Sequence, residues 1–117
     1  MAEAQAGIES LVTNESKPYI FGFSAVTAGI SRAMELARIV KVKFPDSRII
    51  MGGIHPTVMP EEPLNDSPTD VVVIGQGEVA LWELVKAFRA GEDIKNIKSI
   101  AYKRDKEIIC TPRNQLL

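Results

Sequence analysis

Arg48-Ile-Ile-Met-Gly-Gly-Ile-His-Pro-Thr57 is the stretch on which the fold turns. Its opening run, Arg48-Ile-Ile-Met51, does not alternate apolar with polar residues, which is how a strand buried on both faces of a parallel sheet reads. It leads straight into the pair Gly52-Gly53. Two runs of the same kind lie on either side: Tyr19-Ile-Phe-Gly-Phe-Ser24 before it, and Asp70-Val-Val-Val-Ile74 after it, the latter ending in Gly75-Gln76-Gly77.

The segments between these runs complete the pattern. From Ala28 to Phe44, Ile30, Ala33, Met34, Ala37, Val40 and Phe44 recur at helical spacing until Pro45-Asp46 stops the helix. The segment from Ile54 to Pro68 carries four prolines and reads as loop, with one helical turn starting at Pro60-Glu61-Glu62. A helix follows Gly77, with Ala80, Leu81, Leu84, Val85 and Phe88 on its apolar face and Gly91 as its carboxy-terminal cap. At the amino terminus, Ile8, Leu11 and Val12 predict a helix over Ala2 to Val12. Ser99-Ile-Ala-Tyr102 and Ile108-Ile-Cys110 predict a hairpin around Arg104-Asp105-Lys106-Glu107.

Strands alternating with helices specify an open α/β sheet, whose ligands sit at the carboxyl ends of its strands. Three segments then share one rim: Ser24 to Thr27, Gly52 to Thr57, and Gly75 to Glu78. Two of them are rich in glycine, which permits positive φ or a close approach of ligand to backbone.

Composition narrows the function. The 117 residues (12.8 kDa) fit one domain, and 45% hydrophobic with 25% charged residues is the balance of a globular chain. A net charge of −1 supplies no field for nucleic acid or an anionic membrane. Neither a secretory signal nor a membrane-length apolar run is visible, so a cytoplasmic address is the expectation. One cysteine, Cys110, and one histidine, His55, cannot build a zinc site or an iron–sulfur cluster. No metal ligand set and no catalytic residue is therefore assigned.

Each candidate has a plainer alternative. Gly75-Gln76-Gly77-Glu78-Val79-Ala80 matches a loose dinucleotide fingerprint, but Glu78 would repel a pyrophosphate and too little chain follows. A tight strand-to-helix turn accounts for it. His55 lies in a loop without a Cys, second His or well-placed Asp nearby, so it either contacts a ligand or is hydrogen-bonded structurally. Ser24 and Thr27 are placed to meet a ligand, while Thr27 is equally placed to cap the helix near Ala28. Cys110 reads as an ordinary thiol.

Taken together, Gly22-Phe23-Ser24 to Thr27, Arg32-Ala33 to Leu36-Ala37, Gly52-Gly53-Ile54-His55-Pro56-Thr57, Pro60-Glu61-Glu62, Asp70-Val71-Val72 and Gly75-Gln76-Gly77-Glu78 resemble a known family. It is the cobalamin (vitamin B12)-binding domain that precedes the catalytic domain of B12-dependent radical S-adenosylmethionine enzymes. The resemblance runs from about Pro18 to Pro112, and Ile100-Ala101-Tyr102-Lys103 to Ile108 is similar to the hairpin leading out of that domain. It implies an α/β fold with a partial flavodoxin-like (Rossmann-type) parallel sheet. Residues 1–97 would form an amino-terminally truncated cobalamin-binding unit, and 98–117 a hairpin and tail in the same structural unit.

The resemblance also implies a site. Ser24 and Thr27 would approach the nucleotide tail; Gly52, Gly53, Ile54, His55, Pro56 and Thr57 would flank the tail and corrin edge; Gly75, Gln76, Gly77 and Glu78 would close the rim. Methyl transfer or radical chemistry would belong to a radical S-adenosylmethionine domain or subunit, with no iron–sulfur cluster in this chain. The Asp-x-His-x-x-Gly motif of other B12 domains, whose His replaces the lower cobalt ligand, has no match. The competing expectation is a degenerate domain without cofactor that serves as an interaction or dimerisation module. Absence of the family's first strands would leave Tyr19 to Ser24 as an exposed edge, hence an expected homodimer. Gly53→Val is expected to abolish corrinoid retention without disturbing the fold.

Overall fold

The computed structural model describes residues 9–12, 19–75 and 78–113. Six strands form one sheet in sequence order: β1 (Glu9–Val12), β2 (Ile20–Ser24), β3 (Arg48–Gly52), β4 (Val71–Val73), β5 (Ile100–Arg104) and β6 (Glu107–Cys110). The three runs read as buried strands are β2, β3 and β4, and they pair in parallel, Ser24 opposite Gly52 and Met51 opposite Val72. Antiparallel strands flank this centre, β1 against β2 and the β5–β6 hairpin against β4. The α/β class holds, with a mixed sheet around its parallel core.

Side-chain parity along the strands divides the core in two. Phe21, Phe23, Ile49 and Met51 face α1 (Ile30–Lys43) and pack with Ala33, Met34, Leu36 and Ala37. Ile20, Ile50, Val71, Val73, Ile100 and Tyr102 face α4 (Glu78–Ala90) and pack with Ala80, Leu84 and Val85. A smaller cluster of Leu64, Val72 and Ala101 seats α3 (Glu61–Asp66) on the α1 side. Burying β2 to β4 on both faces is what their unbroken apolar runs require.

Helix ends follow local chemistry. At the end of α4, Gly91 has φ 70°, Gly91 N donates to Phe88 O and Glu92 N to Ala87 O, the two bonds of a Schellman cap. Asp70 stands just before β4 and spends its carboxylate on tying strand starts together: Oδ2 accepts Ile49 N at 2.7 Å and Lys41 Nζ at 3.3 Å.

Three expectations are corrected. Glu9–Val12 is a strand, not the end of a helix over Ala2 to Val12; Ala2 to Ile8 lie outside the described residues. The open backbone groups along β2 offered four residues a pairing partner, which outweighs a weak helical stripe. It follows that β2 is not an edge, so the expected edge-paired homodimer loses its basis. The segment after β3 is not mostly loop but two short helices, α2 (Ile54–Val58) and α3. Pro56 sits within the first turn of α2 and Pro63 within that of α3, where a missing N–H costs little.

Candidate corrinoid-binding rim

The parallel strands β2, β3 and β4 end on one edge, so the segments that leave them are brought together as expected. Ser24 is exposed at the end of β2, and Ala25 N donates to Gly52 O at 2.9 Å, laying the β2 exit across the end of β3. Thr27 to Gly29 make a 3-10 turn, and the N-cap position of α1 is Gly29, with no side-chain cap. The N-cap position of α1 thus falls two residues after Thr27.

The two glycines after β3 differ. Gly53 has φ 109°, and a Cβ there would stand 2.4 Å from Ala25 O. It is required by the crossing of two backbones, so the expectation that Gly53→Val spares the fold is withdrawn. At Gly52 a Cβ would meet Val73 Cβ at 3.8 Å, an ordinary contact.

His55 has a partner that sequence proximity did not suggest. Its Nε2 is hydrogen-bonded to Glu62 Oε1, across the junction from α2 to α3. In the sequence Glu62 reads as a helix-start acid and as part of the Pro60-Glu61-Glu62 resemblance; the seven-residue gap to His55 spans two helices, so no single helical period signals the pair. Pro56 is buried. Thr57 Oγ1 accepts Gly75 N at 2.9 Å, joining the exits of β3 and β4. Gly75 has φ 75°, and Arg113 Nη2 lies 3.2 Å from where its Cβ would be. Gln76 and Gly77 lie outside the described residues; Glu78 opens α4 and is exposed.

The elements leaving this rim also carry exposed apolar side chains. Val26 follows β2, while Ile54 and Val58, one helical turn apart on α2, are 68% and 73% exposed, with Met59 next to them. A surface combining such side chains with hydroxyls and backbone groups has the chemistry to meet a broad ligand that is apolar across its ring and amide-fringed at its edge. Among the described residues, no group of three His, Cys, Asp or Glu side chains is placed to hold a metal ion, and no helix is long and apolar enough to cross a membrane.

Comparison with known families narrows the reading. The model of the B12-binding domain matches residues 2–85. The chain belongs to the B12-binding domain family. Its relatives include an uncharacterized methyltransferase of Pyrococcus horikoshii, 34% identical over 101 residues covering 86% of this chain and 22% of the relative. An anaerobic magnesium-protoporphyrin IX monomethyl ester cyclase of Cereibacter sphaeroides is 35% identical over 83% of this chain and 16% of the relative. This chain thus spans about a fifth of the length of these relatives. In fold it resembles the radical S-adenosylmethionine methyltransferase TsrM of Kitasatospora setae, with a TM-score of 0.65 and 21% identity over 72% of this chain and 15% of that one.

Proposed function

We propose that this B12-binding domain holds a corrinoid at the carboxyl rim of β2, β3 and β4. Ser24 and Thr27 would meet the nucleotide tail, Gly52 to Thr57 the tail and corrin edge, and Gly75 to Glu78 the closing side of the rim. The observation that carries the reading is the convergence of the exits of β2, β3 and β4 on one edge of the parallel strands, in a chain matched by the B12-binding model over residues 2–85. A bound cobalamin supplies a cobalt centre able to accept and donate a methyl group. The chain's own residues bind and orient it: hydroxyls and backbone groups answer its amides, and Ile54 and Val58 give apolar area that leaves water on contact.

Catalysis falls to another domain or subunit. A cobalamin-dependent radical SAM methyltransferase of Streptomyces tokunonensis is 26% identical over 96% of this chain and 17% of its own length, which supports a radical S-adenosylmethionine partner in the same polypeptide or assembly. The test is direct. Protein incubated with hydroxocobalamin and desalted is expected to carry the corrinoid absorbance in near-stoichiometric amount. Emergence of colourless, folded protein would sink the reading and favour the cofactor-free interaction module.

A further inference from the structure

Glu62 lies outside the residues assigned to the corrinoid, yet it holds one that is assigned. Its carboxylate is bonded to His55 Nε2, and the two side chains are 32% and 12% exposed. An ionised carboxylate can only accept, so Nε2 must carry the hydrogen. The imidazole is thereby fixed in one orientation and one protonation pattern at that nitrogen.

This contact matters because α2 is too short to hold itself. It has five residues, its N-cap Gly53 makes no side-chain cap, and an isolated turn of helix is unstable in water. Two of its side chains reach neighbouring elements. From its first turn His55 reaches α3, and two residues on Thr57 accepts the amide of Gly75 at 2.9 Å beyond β4. Glu62, His55, Thr57 and Gly75 therefore form a continuous series of contacts from α3 through α2 to the exit of β4. Pro63 and Leu64, next to Glu62, are buried, Leu64 against Val72 and Ala101 of the sheet, so the series starts from a fixed point.

We propose that Glu62 is a positioning residue that, through His55 and Thr57, joins the exits of β3 and β4 into one rim ordered before the ligand arrives. That the ligand is a corrinoid rests on the function proposed above; the tether itself does not. A rim ordered in advance spares binding the cost of ordering it, which is where affinity is gained.

The test uses the 15N-labelled full chain without ligand, then with hydroxocobalamin. Imidazole 15N shifts should show hydrogen on Nε2 in the parent. Glu62→Ala should change that pattern, speed amide exchange at Gly75 and weaken hydroxocobalamin binding about tenfold. Glu62→Gln, whose amide oxygen accepts the same hydrogen, should restore all three. Thr57→Val should speed exchange at Gly75 and weaken binding while leaving the imidazole pattern alone, a separation that general destabilisation would not produce. Unchanged imidazole shifts and Gly75 exchange in Glu62→Ala would overturn the tether. Should Glu62→Ala fail to fold, parent-like affinity in Thr57→Val would overturn it instead. A parent that binds no hydroxocobalamin removes the corrinoid reading, and the ligand-free spectra still decide the tether.

Discussion

At Gly53 the backbone sits at φ 109° with Ala25 O 2.4 Å from the position of a Cβ, while one residue earlier Gly52 has room for one beside Val73 at 3.8 Å. A side chain at Gly53 must therefore displace backbone, and one at Gly52 need not. We expect Gly53→Ala to lose at least about 2 kcal/mol of unfolding free energy, from strain at positive φ added to the clash. Gly52→Ala should lose less than about 1 kcal/mol, and on the corrinoid reading it should still weaken hydroxocobalamin binding by placing a methyl group on the rim. Urea unfolding midpoints beside a binding titration separate the two; equal stability losses would show that the β2 exit does not cross β3 as described. The glycine pair was legible in the sequence as special, but not which glycine serves the fold. That difference is set by the approach of Ala25 and lies 28 residues away along the chain, beyond any local pattern.

Elements with a local cause were the legible ones. The Schellman bonds at Gly91 and the strand character of Ile49 to Met51 follow from residue type and spacing alone. β1 did not: four residues became a strand only because β2 lay open beside them, a tertiary cause that outweighs propensity. The hairpin shows both sides. The polar run Arg104 to Glu107 marks its turn, yet Asp105 and Lys106 both take positive φ, 52° and 73°, in a two-residue loop between Arg104 and Glu107. Such a loop favours glycine at its second position, and lysine there is strained. Lys106→Gly should raise stability by about 0.5–1 kcal/mol, the relief at positive φ exceeding the extra freedom glycine gives the unfolded chain. A lower urea midpoint for that variant would mean the turn has another geometry.

For the whole molecule, the question is what the chain can offer a cobalt centre. His55 is its only imidazole, its side chain is 12% exposed, and Nε2 is committed to Glu62. With hydrogen on Nε2 that nitrogen has no lone pair to give a metal; the lone pair then lies on Nδ1, within a side chain that is largely buried in α2. The absence of an Asp-x-His-x-x-Gly setting in the sequence points the same way, and the burial of His55 adds to it. We therefore expect the cob(II)alamin complex to have no protein nitrogen on cobalt. Electron paramagnetic resonance with 14N- and 15N-labelled protein decides this without interference from the cofactor's own base. Nitrogen from the cofactor splits the signal identically in both samples, whereas a protein ligand changes a three-line pattern into a two-line one on labelling. Identical spectra are the expected result. A change on labelling that vanishes in His55→Ala would make His55 a metal ligand and require α2 to rearrange when the corrinoid binds.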